Sequence, residues 1–212
     1  MLYIALPVSL IGLITPVSLG FITKIIAGFG KEAVAAFGVA SRIEMFALMV
    51  IVALGSVLII FVGQNLSKQK FERIAKGLNF SLKVSIVYGG MIFVLLLFFG
   101  NFIASVFTSD LLVIGVAKKY FSIIGASYIF QGLVLLSTSS FNGLNKPYPS
   151  AVFSLTRMFV LYVPLAWIGS RIYAINGVFW AGFIANVLTG IFSYKYLFGT
   201  VKKLNADILA IT

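Results

Sequence analysis

Residues 35–62 read AAFGVASRIEMFALMVIVALGSVLIIFV. A membrane-crossing helix needs about 20 predominantly apolar residues, and this run supplies them with a margin at its amino end. Working outward, comparable runs occupy residues 2–26, 80–99, 120–141, 151–168 and 174–198. They are separated by polar or Gly/Pro-marked breaks at 28–32, 63–76, 100–110, 142–149 and the short Gly169-Ser170-Arg171 turn. The pattern predicts an all-α fold, a polytopic membrane bundle of six transmembrane helices over residues 1–204, followed by a cytoplasmic tail at 205–212. No internal repeat or low-complexity segment interrupts it.

Composition points the same way. Of the 212 residues, 61% are hydrophobic and 10% charged, where a water-soluble domain carries about 25% charge. Mean hydropathy is +1.11. At roughly 30 to 40 residues per span and its connection, the length accommodates five to seven helices and little else. With no Cys and no His, disulfides, thiol nucleophiles, imidazole bases and Cys/His metal sites are excluded. The opening segment 2–21 has no basic n-region and exceeds a signal-peptide core, so it reads as a span that is retained.

The net charge of +11 arises from 16 Lys and Arg against 5 Asp and Glu. On the six-span layout, Lys68, Lys70, Arg73, Lys76, Lys83, Lys146, Arg157, Lys195, Lys202 and Lys203 fall on one side. Lys24, Lys31, Arg42, Lys118, Lys119 and Arg171 fall on the other. The positive-inside bias makes the first group cytoplasmic, places both termini inside and makes residues 63–79 the main internal loop. The cluster from Lys68 to Lys83 suits anionic lipid headgroups, and no basic surface is interleaved with aromatics in the manner of a nucleic-acid binder.

Ionisable groups deep in hydrocarbon are costly and mark function by default. Glu44 is the one acid placed there. Arg42 lies two residues away and therefore on another side of the helix, which weakens an in-helix ion pair. Glu44 is open to a helix-packing role or a ligand or cation role. Lys83 and Arg157 are expected to snorkel to the cytoplasmic headgroups, and Lys24 to do so outside. In the fourth span Ser127, Gln131 and Thr138 follow a spacing of four and then seven, giving a polar stripe. A buried amide needs partners, so Gln131 either glues this helix to a neighbour or faces a wet cavity. Asn186, with Thr189 a turn away, poses the same choice. Pro7 and Pro16 interrupt the first span, Gly12, Pro16 and Gly20 offer a small-residue face, and Pro164 offers a second bend.

Four stretches resemble the second half of a multidrug and toxic compound extrusion (MATE) transporter. GFGKEAVAAFGVASRIEMF at 28–46 is similar to that family's outer turn and eighth span, and VGQNLSKQKFERIAKG at 62–77 to its internal loop. VFTSDLLVIGVAKKYFSI at 106–123 resembles its outer connection, and SFNGLNKPYPS at 140–150 its Gly-containing loop after the tenth span. The resemblance extends over residues 6–204 and implies one six-helix lobe of a two-lobe, cation-coupled antiporter. It implies a multi-pass plasma-membrane protein that exports amphipathic or cationic drug-like compounds in exchange for Na+ or H+, with no other cofactor. The missing lobe would come from another chain or a second copy.

One branch of the family places cation-binding carboxylates in its seventh and tenth spans. The nearest positions here are Thr15 and Gln131, neither of which carries a charge. The resemblance and the in-span polar residues together nominate Thr15, Glu44, Ser127, Gln131, Thr138 and Asn186 as cavity-lining candidates, with no catalytic residue and no assigned metal ligand. Three alternatives stand beside this reading. A lipid-linked saccharide flippase of the related superfamily would need several inward Arg or Lys, whereas the in-span positives are expected near span ends. The second alternative is a fragment or subunit without transport of its own. A membrane enzyme is disfavoured, because Glu32, Glu72, Asp110 and Asp207 lack a paired partner in sequence.

Overall fold

The computed structural model describes the backbone of residues 2–209 and the side chains of residues 15–206. Among these, all regular structure is helical: α1 (Leu2–Ala27), α2 (Lys31–Ser67), α3 (Phe71–Ser105), α4 (Leu111–Ile124), α5 (Tyr128–Gly143), α6 (Pro147–Leu155) and α7 (Val163–Leu209). A tight 3-10 turn, Gly125–Ser127, joins α4 to α5, and a wide π turn, Thr156–Tyr162, joins α6 to α7. Four runs are long and apolar enough to cross a membrane: Lys31–Ser67, Phe71–Ser105, Leu111–Gly143 and Pro147–Ala206. Pro7, Gly12 and Asp207 lie outside the described side chains.

The last of those runs folds back on itself. Tyr173 (φ −124°, ψ 21°) and Ala174 (φ 51°, ψ −138°) leave the helical region, so α7 is two antiparallel arms. The expected turn at Gly169-Ser170-Arg171 is thus displaced, and Gly169 has a different use. A methyl group added there would stand 2.6 Å from the Gly177 carbonyl oxygen, because the two arms cross backbone to backbone at this pair. Counting the arms separately, the described residues form six rods.

The helices outlast the apolar runs that reveal them. The predicted break at 63–76 shrinks to residues 68–70, where Gln69 takes a positive φ of 53°, and the break at 100–110 shrinks to 106–110. Hydropathy marks the hydrocarbon slab, whereas helical hydrogen bonding continues into the polar zone. Local chemistry then fixes the ends. The Asp110 side chain caps α4 by accepting from the backbone N–H of Leu112 at 2.9 Å and of Val113 at 3.4 Å. Pro147 opens α6, where its missing N–H costs nothing.

Continuous with α4, α5 is the axis of the bundle. The most apolar window of Leu111–Gly143 is 56% buried, against 28% and 17% in α2 and α3. Small residues admit its neighbours: a methyl at Gly190 of α7 would lie 2.6 Å from the Phe130 carbonyl oxygen. Gly20, by contrast, has open space beside it, so the small-residue face expected on α1 makes no close contact there. Hydrogen bonds from Ser85 to the Ile129 carbonyl (3.1 Å) and from Tyr88 to the Ala47 carbonyl (2.8 Å) tie α3 to α5 and α2. Phe80, Val87, Phe98 and Phe102 stand exposed on α3, an apolar outer face of the kind that lipid, not water, covers.

Two apolar clusters fill the interior. One gathers Ile22, Phe37, Phe121, Ile124 and Phe179, and the other gathers Val62, Phe71, Leu78, Phe141 and Leu197. Along the chain, Gln131 and Asn186 fall between the residues that each cluster takes from their helices.

Candidate functional site

At that junction lies a cavity of about 550 Å³, walled by α1, α2, α4, α5, the π turn and α7. Its polar lining includes Thr15, Ser41, Arg42, Glu44, Gln131, Arg157 and Asn186, set among Tyr120, Tyr162, Met45 and Met158. Hydrogen bonds join most of these groups into one line. Arg157 Nη1 donates to Asn186 Oδ1 at 3.2 Å, and Asn186 Nδ2 donates to Ser127 Oγ at 2.9 Å and Gln131 Oε1 at 3.3 Å. Gln131 Nε2 donates to Glu44 Oε1 at 2.9 Å, and the Tyr120 hydroxyl donates to Glu44 Oε2. Ser127 in turn donates to the Ile124 carbonyl at 2.7 Å.

The line has a direction that chemistry imposes. A guanidinium only donates, so Asn186 must offer it the carbonyl and turn its NH2 toward Gln131. An ionised carboxylate only accepts, so Gln131 must turn its NH2 toward Glu44. Both amides are thereby oriented by a cation at one end and an anion at the other. Gln131 is 9% and Asn186 6% exposed, so a broken link leaves a largely buried polar group short of a partner, which is costly.

Two departures from α winding bring the line together. The 3-10 turn presents Ser127 to Asn186, and the π turn presents Arg157, Met158 and Tyr162 to the cavity. Pro164 supplies a cause for the second departure. It has no N–H for the carbonyl of Val160, and the winding opens directly upstream of it.

The nominated residues separate accordingly. Glu44, Ser127, Gln131 and Asn186 are joined by hydrogen bonds, and Thr15 lines the same cavity. Thr138 is not among the lining residues and donates to the Leu135 carbonyl of its own helix at 3.0 Å. Thr189, the suggested companion of Asn186, is buried, with a hydroxyl that has no partner.

Arg157 requires a correction. It does not snorkel to headgroups but points inward, with Nη1 on Asn186 and a buried Nε without a partner. Arg42 lines the cavity too, so the in-span positive charges are not confined to span ends. Tyr120 and Tyr162 were also outside the nominated set. A charged residue within a predicted span was the available signal for Arg157. Glu44 stands within hydrogen-bond distance of Gln131, so a carboxylate from the second span lies beside the uncharged residue on the fourth.

Comparisons with known proteins place this geometry. A curated FAD transporter of Shewanella oneidensis is 34% identical over 210 residues, which is 98% of this chain and 46% of the relative. The chain thus spans about half the length of the relative it matches. The crystal structure of the Vibrio cholerae MATE transporter VcmN in the bent form superposes with a TM-score of 0.92 at 27% identity, covering 97% of this chain and 47% of that one. A MOP superfamily transporter from Pyrococcus furiosus shares the fold with a TM-score of 0.89 at 18% identity, over 96% of this chain and 46% of its own. The MatE family model matches residues 7–168, more than half of the chain, and the chain belongs to that family.

Proposed function

We propose that this chain is one lobe of a secondary transporter and forms one wall of a substrate cavity that exports amphipathic organic compounds across the plasma membrane in exchange for Na+ or H+. A second six-helix lobe, from another chain or a second copy, closes the cavity, and both termini are cytoplasmic. The observation that carries this reading is the oriented line from Arg157 through Asn186 and Gln131 to Glu44 on the wall of the 550 Å³ cavity. A purely structural set of polar links would not need a cation at one end and an anion at the other beside open volume.

The cargo follows from which charges are already committed. Both oxygens of Glu44 accept hydrogen bonds, from Tyr120 and Gln131, whereas Arg42 lines the cavity and Arg157 keeps an unpartnered Nε. The uncommitted charge is positive and the walls are apolar and aromatic. These features suit a planar aromatic compound with an anionic portion better than the cationic compounds implied by the first resemblance. The relative described as an FAD transporter supports a flavin nucleotide as the type of cargo. The same two guanidiniums favour a second reading, a lipid-linked saccharide whose pyrophosphate they would bind.

Glu44 is the coupling acid in this reading. Gln131 Nε2 and the Tyr120 hydroxyl donate to the two Glu44 oxygens, and a proton placed on the oxygen that faces Gln131 would set a donor against an NH2 that cannot accept it. An arriving Na+ would compete for the same oxygens. The test is co-expression with a six-helix amino-terminal lobe in an efflux-deficient host, reading flavin nucleotide in the medium and ethidium retained in cells. Wild-type export should rise with the imposed pH or Na+ gradient, and Glu44→Gln should leave export insensitive to both. Export that keeps its gradient response in Glu44→Gln removes Glu44 from coupling, and ethidium efflux without flavin export overturns the anionic cargo.

A further inference from the structure

We propose that the end of the bundle where α7 turns back is a binding site for an anionic phospholipid of the phosphatidylglycerol type. The site stands independently of the transport reading, because it shares no lining residue with the central cavity. Two adjoining hollows compose it. The first, about 320 Å³, is lined by Lys118, Lys119, Ser122, Ile123, Asn176 and Trp180. The second, about 520 Å³, runs between the two arms over apolar residues that include Leu165, Ile168, Ile172 and Ile184. Asn176 and Trp180 line both, so a basic mouth opens directly into an apolar channel.

The channel has a cause in the sequence. Gly169 and Gly177 bring the arms into backbone contact, and both glycines line the groove. With no side chains at the crossing, the larger residues on either side stand apart and leave a hollow between them.

Three observations select the ligand. First, the groove opens among exposed apolar side chains, Ile168, Ile172 and Trp180, a surface suited to acyl chains. Second, this is a membrane-interface end. The chain's two tryptophans, Trp167 and Trp180, lie on the two arms, and the Arg171 guanidinium sits 4.5 Å from the Trp167 ring centroid. Third, Asn176 Oδ1 is buried without a hydrogen-bond partner at the point shared by the two hollows. A phosphodiester meets the two lysines, an acyl chain fills the channel, and the headgroup hydroxyl of phosphatidylglycerol donates to Asn176. Phosphatidylcholine supplies the acyl chain and the phosphodiester, but its headgroup has no hydroxyl to donate and its choline cation balances the phosphate charge and repels the lysines. The site also gives a use to Lys118 and Lys119, two positive charges on the side where the topology rule expects few.

The test is native mass spectrometry of the purified 212-residue chain, titrated in detergent with phosphatidylglycerol, with phosphatidylcholine of the same chains, and with glycerol phosphate. Phosphatidylglycerol should be retained about thirtyfold more strongly than phosphatidylcholine, from the attraction of two lysines. The exposed double substitution Lys118→Gln with Lys119→Gln should bring it to the phosphatidylcholine level. Asn176→Asp, which sets a negative charge at the mouth, should reduce phosphatidylglycerol alone and gives a second readout if the double variant fails to fold. Equal retention of the two lipids, or a preference untouched by both variants, overturns the site. Displacement of the lipid by glycerol phosphate also overturns it, in favour of a soluble anion.

Discussion

The central cavity and the groove at the turn of α7 both set polar groups in apolar walls, but they are finished differently. In the cavity, Asn186 makes three hydrogen bonds and Gln131 two, each with its donor and acceptor ends oriented by a fixed charge. In the groove, the Asn176 carbonyl oxygen is buried with no partner, beside two lysines that stand exposed. A closed line holds rods in register as well as lining a site, so breaking it should damage both stability and transport. An open one is completed from outside, and changing it should alter what binds while leaving the fold intact.

The strongest way to break the comparison is Asn186→Ala. Side-chain hydrogen bonds in membrane bundles average about 0.6 kcal/mol, so losing three should cost about 2 kcal/mol, read as a lower thermal midpoint in detergent. Transport by the two-lobe assembly should fall at least about tenfold, because Arg157 and Gln131 lose their common partner. A variant with normal stability and normal export would mean that the line is incidental. A smaller effect, of opposite sign, is expected at the turn that holds the groove's arms together. Ala174 has a φ of 51°, a region glycine occupies without strain, so Ala174→Gly should raise stability by about 0.5 kcal/mol. The smallest effect belongs to Lys118→Gln with Lys119→Gln, whose stability should stay within about 0.5 kcal/mol of wild type while lipid retention changes. A large loss of stability there would show the groove to be as structural as the cavity.

Legibility in the sequence follows from what each residue type is obliged to do. Hydrocarbon demands apolar runs, so the rods were evident, and an acid or amide within such a run must find a partner, so Glu44, Gln131 and Asn186 were evident too. Helix ends were not, since Ser67 and Phe71 continue or begin helices beyond the apolar slab that hydropathy detects. Thr138 carried the right spacing, but it satisfies its hydroxyl on the Leu135 carbonyl and has no need of a neighbour. The length of Arg157 suits a reach to the headgroups. The winding at Thr156–Tyr162 turns it inward instead, and that winding leaves no trace in periodicity beyond the nearby Pro164. At the turn of α7, Gly169 looked like a chain reversal and is a contact point, because one residue type serves both purposes.

The two irregular turns also act as a rotary setting. A π turn fits one residue more than an α-helix into the same stretch, so deleting one residue from Thr156–Tyr162 and restoring regular winding would leave α6 and α7 facing as before and change only which residues of the turn point inward. Arg157 lies in that turn, so its reach to Asn186 would change while the rods stay in place. On the proposed reading, the charge presented to cargo would therefore be adjustable by a single codon that alters no charged residue.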